Sequence, residues 1–275
     1  MVLKDKVALI TGGSRGIGKA VAAAFLKEGS RVMLAARSRE ELLATKLELS
    51  KNFEGVEVFP SDVSKKSEVQ NLVKRTLEIF NKIDILVNAA GIYGTIGPSA
   101  SVDFDKWKEA FEINLFGTFN TIQEVLHFMV KIKKGKIINF SGGGDGPLPN
   151  FSAYNSSKTA VGRLTETLAA EVKDYSIDIN AIAPGPVNTK FLEDALAAGE
   201  EAVGKERYKM LLKQKEEGGA PREKAAELCV FLASDASNGL SGKILSAVWD
   251  DWKTWDKKKI EELMKSEVYT LRRVK

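Results

Sequence analysis

Short, almost wholly apolar runs alternate with helical patterns along nearly the whole chain, and this alternation limits the possible folds more than any other feature. Strand character recurs at residues 7–11, 31–36, 56–60, 83–88, 136–141, 177–183 and 242–247. Between these runs, segments 18–28, 40–50, 65–80, 104–132, 152–174 and 222–233 carry apolar residues at helical spacing. Strands such as VALIT and IDILVN do not alternate apolar with polar residues, as a one-sided sheet would require. Both of their faces must be buried, so the pattern predicts an α/β, doubly wound, seven-stranded parallel sheet flanked by helices. No linker divides residues 1–275, which are read as one domain. Residues 188–219 interrupt the alternation and are expected to form a lid-like segment. Residues 248–275 form an atypical tail with three of the four tryptophans.

Composition removes several chemistries. One cysteine, Cys229, and one histidine, His127, leave neither a thiolate cluster nor an imidazole pair for a metal, and no metal site is expected. The balance of 41 basic and 37 acidic residues contains no long basic block, so nucleic acid is not an expected partner. The longest uncharged run, 85–102, is broken by Asn88, Gly91, Gly94, Gly97 and Pro98, and no membrane span is expected. The chain opens through Lys4-Asp5-Lys6 into a strand rather than a long apolar leader, which predicts a cytoplasmic protein.

The first strand runs into Thr11-Gly12-Gly13-Ser14-Arg15-Gly16-Ile17-Gly18, directly before a helix. Glycines there permit a tight turn and close approach of a pyrophosphate, which the helix N-terminus attracts. With this turn come Asn88-Ala89-Ala90-Gly91 after the fourth strand, Asn114-Leu115-Phe116-Gly117 in a helix, Tyr154-Asn155-Ser156-Ser157-Lys158, and Pro184-Gly185-Pro186-Val187-Asn188-Thr189 after the sixth strand. In this order the motifs resemble the short-chain dehydrogenase/reductase family, a Rossmann-type fold, over residues 5 to about 247. Among its members the overall pattern is similar to 3-oxoacyl-[acyl-carrier-protein] reductases.

The resemblance implies hydride transfer between a nicotinamide and a carbonyl or alcohol. Tyr154 would give a proton to the substrate oxygen, Lys158 would hold the nicotinamide ribose, and Asn114 would hold a proton-relay water. At a spacing of four, Tyr154 and Lys158 leave one helix face, and a nearby ammonium favours the phenolate. Ser141, 13 residues before Tyr154, is expected to polarise the substrate oxygen. The family's Ser-Ser ending would instead put Gly142 in that place, and Ser152 is a further substitute. The cofactor is expected to touch Gly12, Ser14, Arg15, Gly16, Ile17, Gly18, Asp62, Val63, Asn88, Ala89, Gly91, Tyr154, Lys158, Pro184, Gly185, Val187 and Thr189.

The second strand ends Ala36-Arg37-Ser38-Arg39, without the acid that reads a ribose diol. Arg37, with Arg15, offers cations to a 2′-phosphate, so NADP(H) is expected over NAD(H). Three glycines and Asp145 after Ser141 would suit a sugar or polyol ketone. The resemblance makes a 3-oxoacyl thioester the leading specific substrate, and Lys131, Lys133, Lys134 and Lys136 could meet an acyl-carrier protein, although such a cluster more often marks a solvated helix end. A non-catalytic NADP-binding protein and a nucleotide-sugar epimerase or dehydratase are the alternatives. Family members commonly form dimers or tetramers, and a homo-oligomer, most simply a homotetramer, is expected. Trp249, Trp252 and Trp255 recur every three residues and are expected to pack as one face of a helix or turn, on the body, on a neighbour or over the substrate.

Overall fold

A computed structural model describes residues 1–142 and 146–272. Seven parallel strands, β1 (Val7–Thr11), β2 (Arg31–Ala36), β3 (Val56–Pro60), β4 (Ile85–Asn88), β5 (Gly135–Phe140), β6 (Ile177–Ala183) and β7 (Ile244–Ser246), lie in the order β3-β2-β1-β4-β5-β6-β7. All six pairings are parallel, with Thr11 beside both Ala35 and Asn88. The order reverses between β1 and β4, so the loops after these two strands diverge and open a crevice at the strands' C-terminal ends.

The strands bury both faces, as their composition requires. In β1, Ala8 and Ile10 join a core with α1 (Gly16–Lys27), α2 (Arg39–Leu49) and α9 (Arg222–Ala233). Val7 and Leu9 point the other way, into a core with α3 (Lys66–Phe80), α5 (Gly117–Ile132) and α6 (Ser152–Glu171). Strand β4 starts two residues later than expected. Asp84 turns its carboxylate back, accepting from the Val7 amide at 2.8 Å, and so ends the preceding loop.

The expected helix 104–132 is interrupted. Helix α4 (Phe104–Phe111) passes through a π-helical turn, Glu112–Phe116, before α5 begins. Helices α7 (Lys190–Val203) and α8 (Lys205–Glu217) occupy the segment expected as a lid. Residues after β7 pack on the body: Trp252 is buried against Phe231 of α9, and Trp255 faces Tyr269 at 5.4 Å. Trp249 is 68% exposed, so the three tryptophans do not share one buried face. Helix α10 (Lys257–Met264) follows, and the chain returns to the outer edge of β7, where Ile244 N donates to Tyr269 O at 2.8 Å. This contact covers an edge strand that would otherwise offer free backbone groups. No helix among the described residues is long and apolar enough to cross a membrane.

Candidate active site

The glycine turn is shaped by contact with the loop after β4. Gly12 has φ +66°, and a Cβ there would lie 2.8 Å from the Ala89 carbonyl. Only glycine satisfies both the left-handed backbone and the close approach. Helix α1 then starts without a side-chain cap and without an acid in its first turn. Its first amide groups therefore face outward unpaired, with the positive end of the helix dipole behind them.

These amides border a cleft of about 350 Å³. Of the residues expected at a cofactor, Gly12, Ser14, Arg15, Gly16, Ile17, Gly18, Arg37, Asp62, Val63, Ala89, Gly91 and Thr189 line it. Asn88, Tyr154, Lys158, Pro184, Gly185 and Val187 do not. Asn88 stabilises the central sheet, donating to Asn139 Oδ1 at 2.9 Å and accepting from Thr121 Oγ1 at 2.6 Å. Asn139 in turn donates to Thr165 Oγ1 at 2.9 Å, so a satisfied buried polar chain ties β4 and β5 to α5 and α6.

A carboxylate unnoticed in the sequence enters the cleft. Glu41 accepts from Ser14 Oγ and Arg15 Nη1, both at 2.9 Å. Its position follows from a capping spacing, Ser38-Arg39-Glu40-Glu41, in which Ser38 Oγ accepts from the Glu41 amide at 3.2 Å. Arg37 lies near Glu109, 4.0 Å from Oε1, with both side chains largely in solvent.

Asn114 and Lys158 meet behind the cleft wall. A Cβ on Gly91 would come within 3.1 Å of Asn114 Oδ1 and 3.3 Å of Lys158 Nζ. Asn114 sits in the π turn, whose extra residue reorients the side chain relative to a regular helix. Its amide pairs with the Ile92 backbone, accepting from N and donating to O at 2.9 Å each, and Nδ2 also donates to Ser157 Oγ at 2.9 Å. Thr118 Oγ1 donates to the Asn114 carbonyl at 2.7 Å.

Lys158 is buried and donates to Phe140 O at 2.7 Å, and burial pushes its ammonium down to about 8. Tyr154 stands among rings: Tyr93 at 4.8 Å and Phe191 at 5.7 Å between centroids, with Phe151 packed in the same cluster. Burial, then Tyr93, raises its phenol above the ordinary tyrosine range, while Arg207 acts in the opposite sense. The phenolate expected beside an ammonium is therefore not favoured here. Desolvation dominates, and Lys158 points to a backbone carbonyl. Phe191 lines the cleft as well as facing Tyr154, and so joins the two regions.

Ser141 is not brought to the phenol. Its hydroxyl makes only long contacts, 3.4 Å to Ile182 O and 3.5 Å to Gly142 O, and it borders a second cavity together with Lys158 and residues of the tail. Gly142, at φ +66°, is the residue against Tyr154: a Cβ there would run into Tyr154 Oη. The one-residue choice left open by the loop length thus falls, in geometry, on the glycine. Ser152 accepts from the Trp107 indole at 3.1 Å. Asp145 lies outside the described residues.

The lysine cluster lies far from this site. Lys131, Lys133 and Lys134 precede β5, whereas the cleft lies beyond the strands' other ends, roughly 20 Å away for a six-residue strand. Lys136 is half-buried in an ion pair with Asp178 at 2.6 Å.

A family model described as short chain dehydrogenase matches residues 6–199. The chain belongs to the short-chain dehydrogenase/reductase family. It is 33% identical over 249 residues to the uncharacterized oxidoreductase YvrD of Bacillus subtilis, covering 87% of this chain and 94% of that one. It is 34% identical over 247 residues to 3beta-hydroxysteroid dehydrogenase 2 of Eggerthella lenta, covering 89% and 94%. Among solved structures, levodione reductase superposes with a TM-score of 0.82 at 30% identity, covering 92% of this chain and all of that one. NAD+-bound xylitol dehydrogenase gives 0.80 at 29%, covering 90% and 98%. As a member of this family, the protein is an oxidoreductase with a nicotinamide-binding fold.

Proposed function

We propose that this chain interconverts a carbonyl and a secondary alcohol, with NADP(H) as cofactor and Tyr154 as the proton donor. The observation carrying this reading is that Asn114 and Lys158 back Gly91, and Tyr154 faces Phe191, at the wall of a cleft that also holds an uncapped helix N-terminus. Gly12 and Gly16 leave room for a pyrophosphate against the backbone, Asp62 and Val63 border the adenine end, and Arg37, with Arg15 once it leaves Glu41, favours a 2′-phosphate over a diol. When bound, the nicotinamide supplies or accepts the hydride.

The chain's own groups handle the proton. Tyr154 is protonated at neutral pH, the form that a reduction needs, and gives its Oη proton to the substrate oxygen. Lys158, four residues after Tyr154 on the same helix, holds the ribose. Asn114 fixes the loop carrying Gly91 and Ile92, which sets the floor under the reacting atoms. Ser141, turned toward Ile182, leaves the substrate oxygen to Tyr154. Rings and aliphatic groups around the phenol, including Phe151, Phe191 and Leu196, suit a substrate with an apolar body better than a polyol. A 3-oxoacyl thioester heads the panel of substrates on this ground, without help from the distant lysines, and we propose a homo-oligomer as the working state.

Initial rates of NADPH and NADH oxidation with acetoacetyl thioester, diketones and keto-sugars, for wild type and Tyr154→Phe, test the reading. Turnover that prefers NADPH and falls at least a hundredfold on substitution, on the order expected for loss of a general acid, supports it. Cofactor binding without Tyr154-dependent turnover refutes it.

A further inference from the structure

Helix α8 carries Arg207, which is half-buried and, among the described residues, has no ion-pair partner. Arg207 stands four residues before Leu211, so both side chains leave the helix on one face. Leu211 is buried in the cluster that holds Phe151, Tyr93 and Tyr154, which directs Arg207 to the same place. Its Nε is buried and, among the described residues, has no hydrogen-bond partner. Its charge acts on the phenols of both Tyr93 and Tyr154. The neighbouring carboxylate, Asp194, is already held by Lys190 at 2.7 Å. A guanidinium whose Nε is buried without a partner gains a hydrogen bond when an acceptor arrives to pair with it.

We propose that Arg207 is the specificity residue of this site and pairs with a substrate carboxylate, so that the compound converted at Tyr154 is an oxo acid or hydroxy acid with an apolar body. The inference rests on the carbonyl–alcohol reading above and puts a free acid, in place of the thioester, at the head of its substrates. A planar guanidinium matches a carboxylate with two parallel hydrogen bonds. One cation beside Asp194 suits a single negative charge rather than a phosphate dianion. The rings at 4.7–5.7 Å from one another around Tyr154 take the apolar portion.

The test is calorimetric binding of hydrocinnamate and its neutral isostere hydrocinnamamide to the NADPH-loaded protein, for wild type, Arg207→Met and Arg207→Lys, with thermal melts confirming that each variant is folded. Wild type is expected to favour the acid on the order of ten- to a hundredfold, as for a hydrogen-bonded charge pair. Arg207→Met should abolish that ratio and Arg207→Lys restore part of it. Equal binding of acid and amide by wild type, or a ratio that survives in Arg207→Met, overturns the proposal, as does tighter binding of phenyl phosphate than of the acid. Phenylpyruvate turnover, with and without Tyr154, separates the two readings. An acid preference that depends on Arg207, in a protein that reduces nothing, leaves Arg207 standing and removes the reductase.

Discussion

Gly142→Ala probes the contact that sets the position of the proton donor. Alanine at φ +66° costs about 1 kcal/mol in the left-handed region. Its Cβ would also occupy the space of Tyr154 Oη, and the ring cannot swing aside freely because Tyr93 and Phe191 flank it at 4.8 and 5.7 Å. Overpacking of this kind adds about 2 kcal/mol, for a total of about 3 kcal/mol. At roughly 2–4 °C per kcal/mol for a chain of this size, the thermal midpoint should drop by roughly 6–12 °C. In a Tyr154→Phe background the colliding oxygen is gone and the nearest ring atom, Cζ, would lie 3.1 Å from the new carbon. There the same substitution should cost only the backbone part, about 1 kcal/mol, giving a coupling of about 2 kcal/mol in a double-mutant cycle. Thermal or urea melts of the four proteins read it directly. An equal loss in both backgrounds would refute the placement of Gly142 against the phenol.

Three further outcomes follow from the same geometry. Lys158→Met should lower turnover at least a hundredfold yet raise stability at pH 7 by about 2 kcal/mol. Burial of the ammonium corresponds to about 3 kcal/mol, offset by about 1 kcal/mol for the lost bond to Phe140 O. The sign follows from proton counting: between about 8 and the unfolded value of 10.5 the unfolded chain binds more protons, so wild-type stability rises with pH and the advantage of the variant shrinks across that window, as melts at several pH values will show. Arg37→Ala should weaken NADPH relative to NADH on the order of tenfold or more in kcat/KM, since a charged fork is lost from the phosphate. A ratio that does not move would transfer cofactor choice to Arg15. Asn88→Ala strands Asn139 and Thr121 partners in the core and should cost about 3 kcal/mol by chemical denaturation, with the slope unchanged.

Much of the fold was legible because strand burial on both faces leaves a distinct signature: Val7, Ala8, Leu9 and Ile10 have no polar side to show. The glycine turn was legible for a related reason, since Gly12 must satisfy both a positive φ and the approach of Ala89. Interruption of the helix at Glu112–Phe116 was not legible. A single inserted residue leaves the apolar spacing nearly intact while turning Asn114 toward Ile92. Ser141 lay beyond sequence reasoning for a similar cause, because one residue of register at the end of β5 decides whether a side chain faces Tyr154 or Ile182. Glu41 was within reach through its capping spacing after Ser38. Arg207 was not, since Lys205-Glu206-Arg207 reads as a solvated helix start until packing of Leu211 turns that face inward.

The central claim is that Tyr154 delivers the proton as a hydride reaches the carbonyl carbon. The most direct measurement uses NADPH deuterated at the nicotinamide C4 with a reducible carbonyl compound, and follows deuterium into the product alcohol for wild type and Tyr154→Phe at matched cofactor occupancy. Deuterium on the carbinol carbon in wild type, with transfer reduced at least a hundredfold in Tyr154→Phe, is the expected result. Comparable transfer by the two proteins would contradict the role of Tyr154, and no transfer by wild type to any carbonyl compound would contradict the reaction itself.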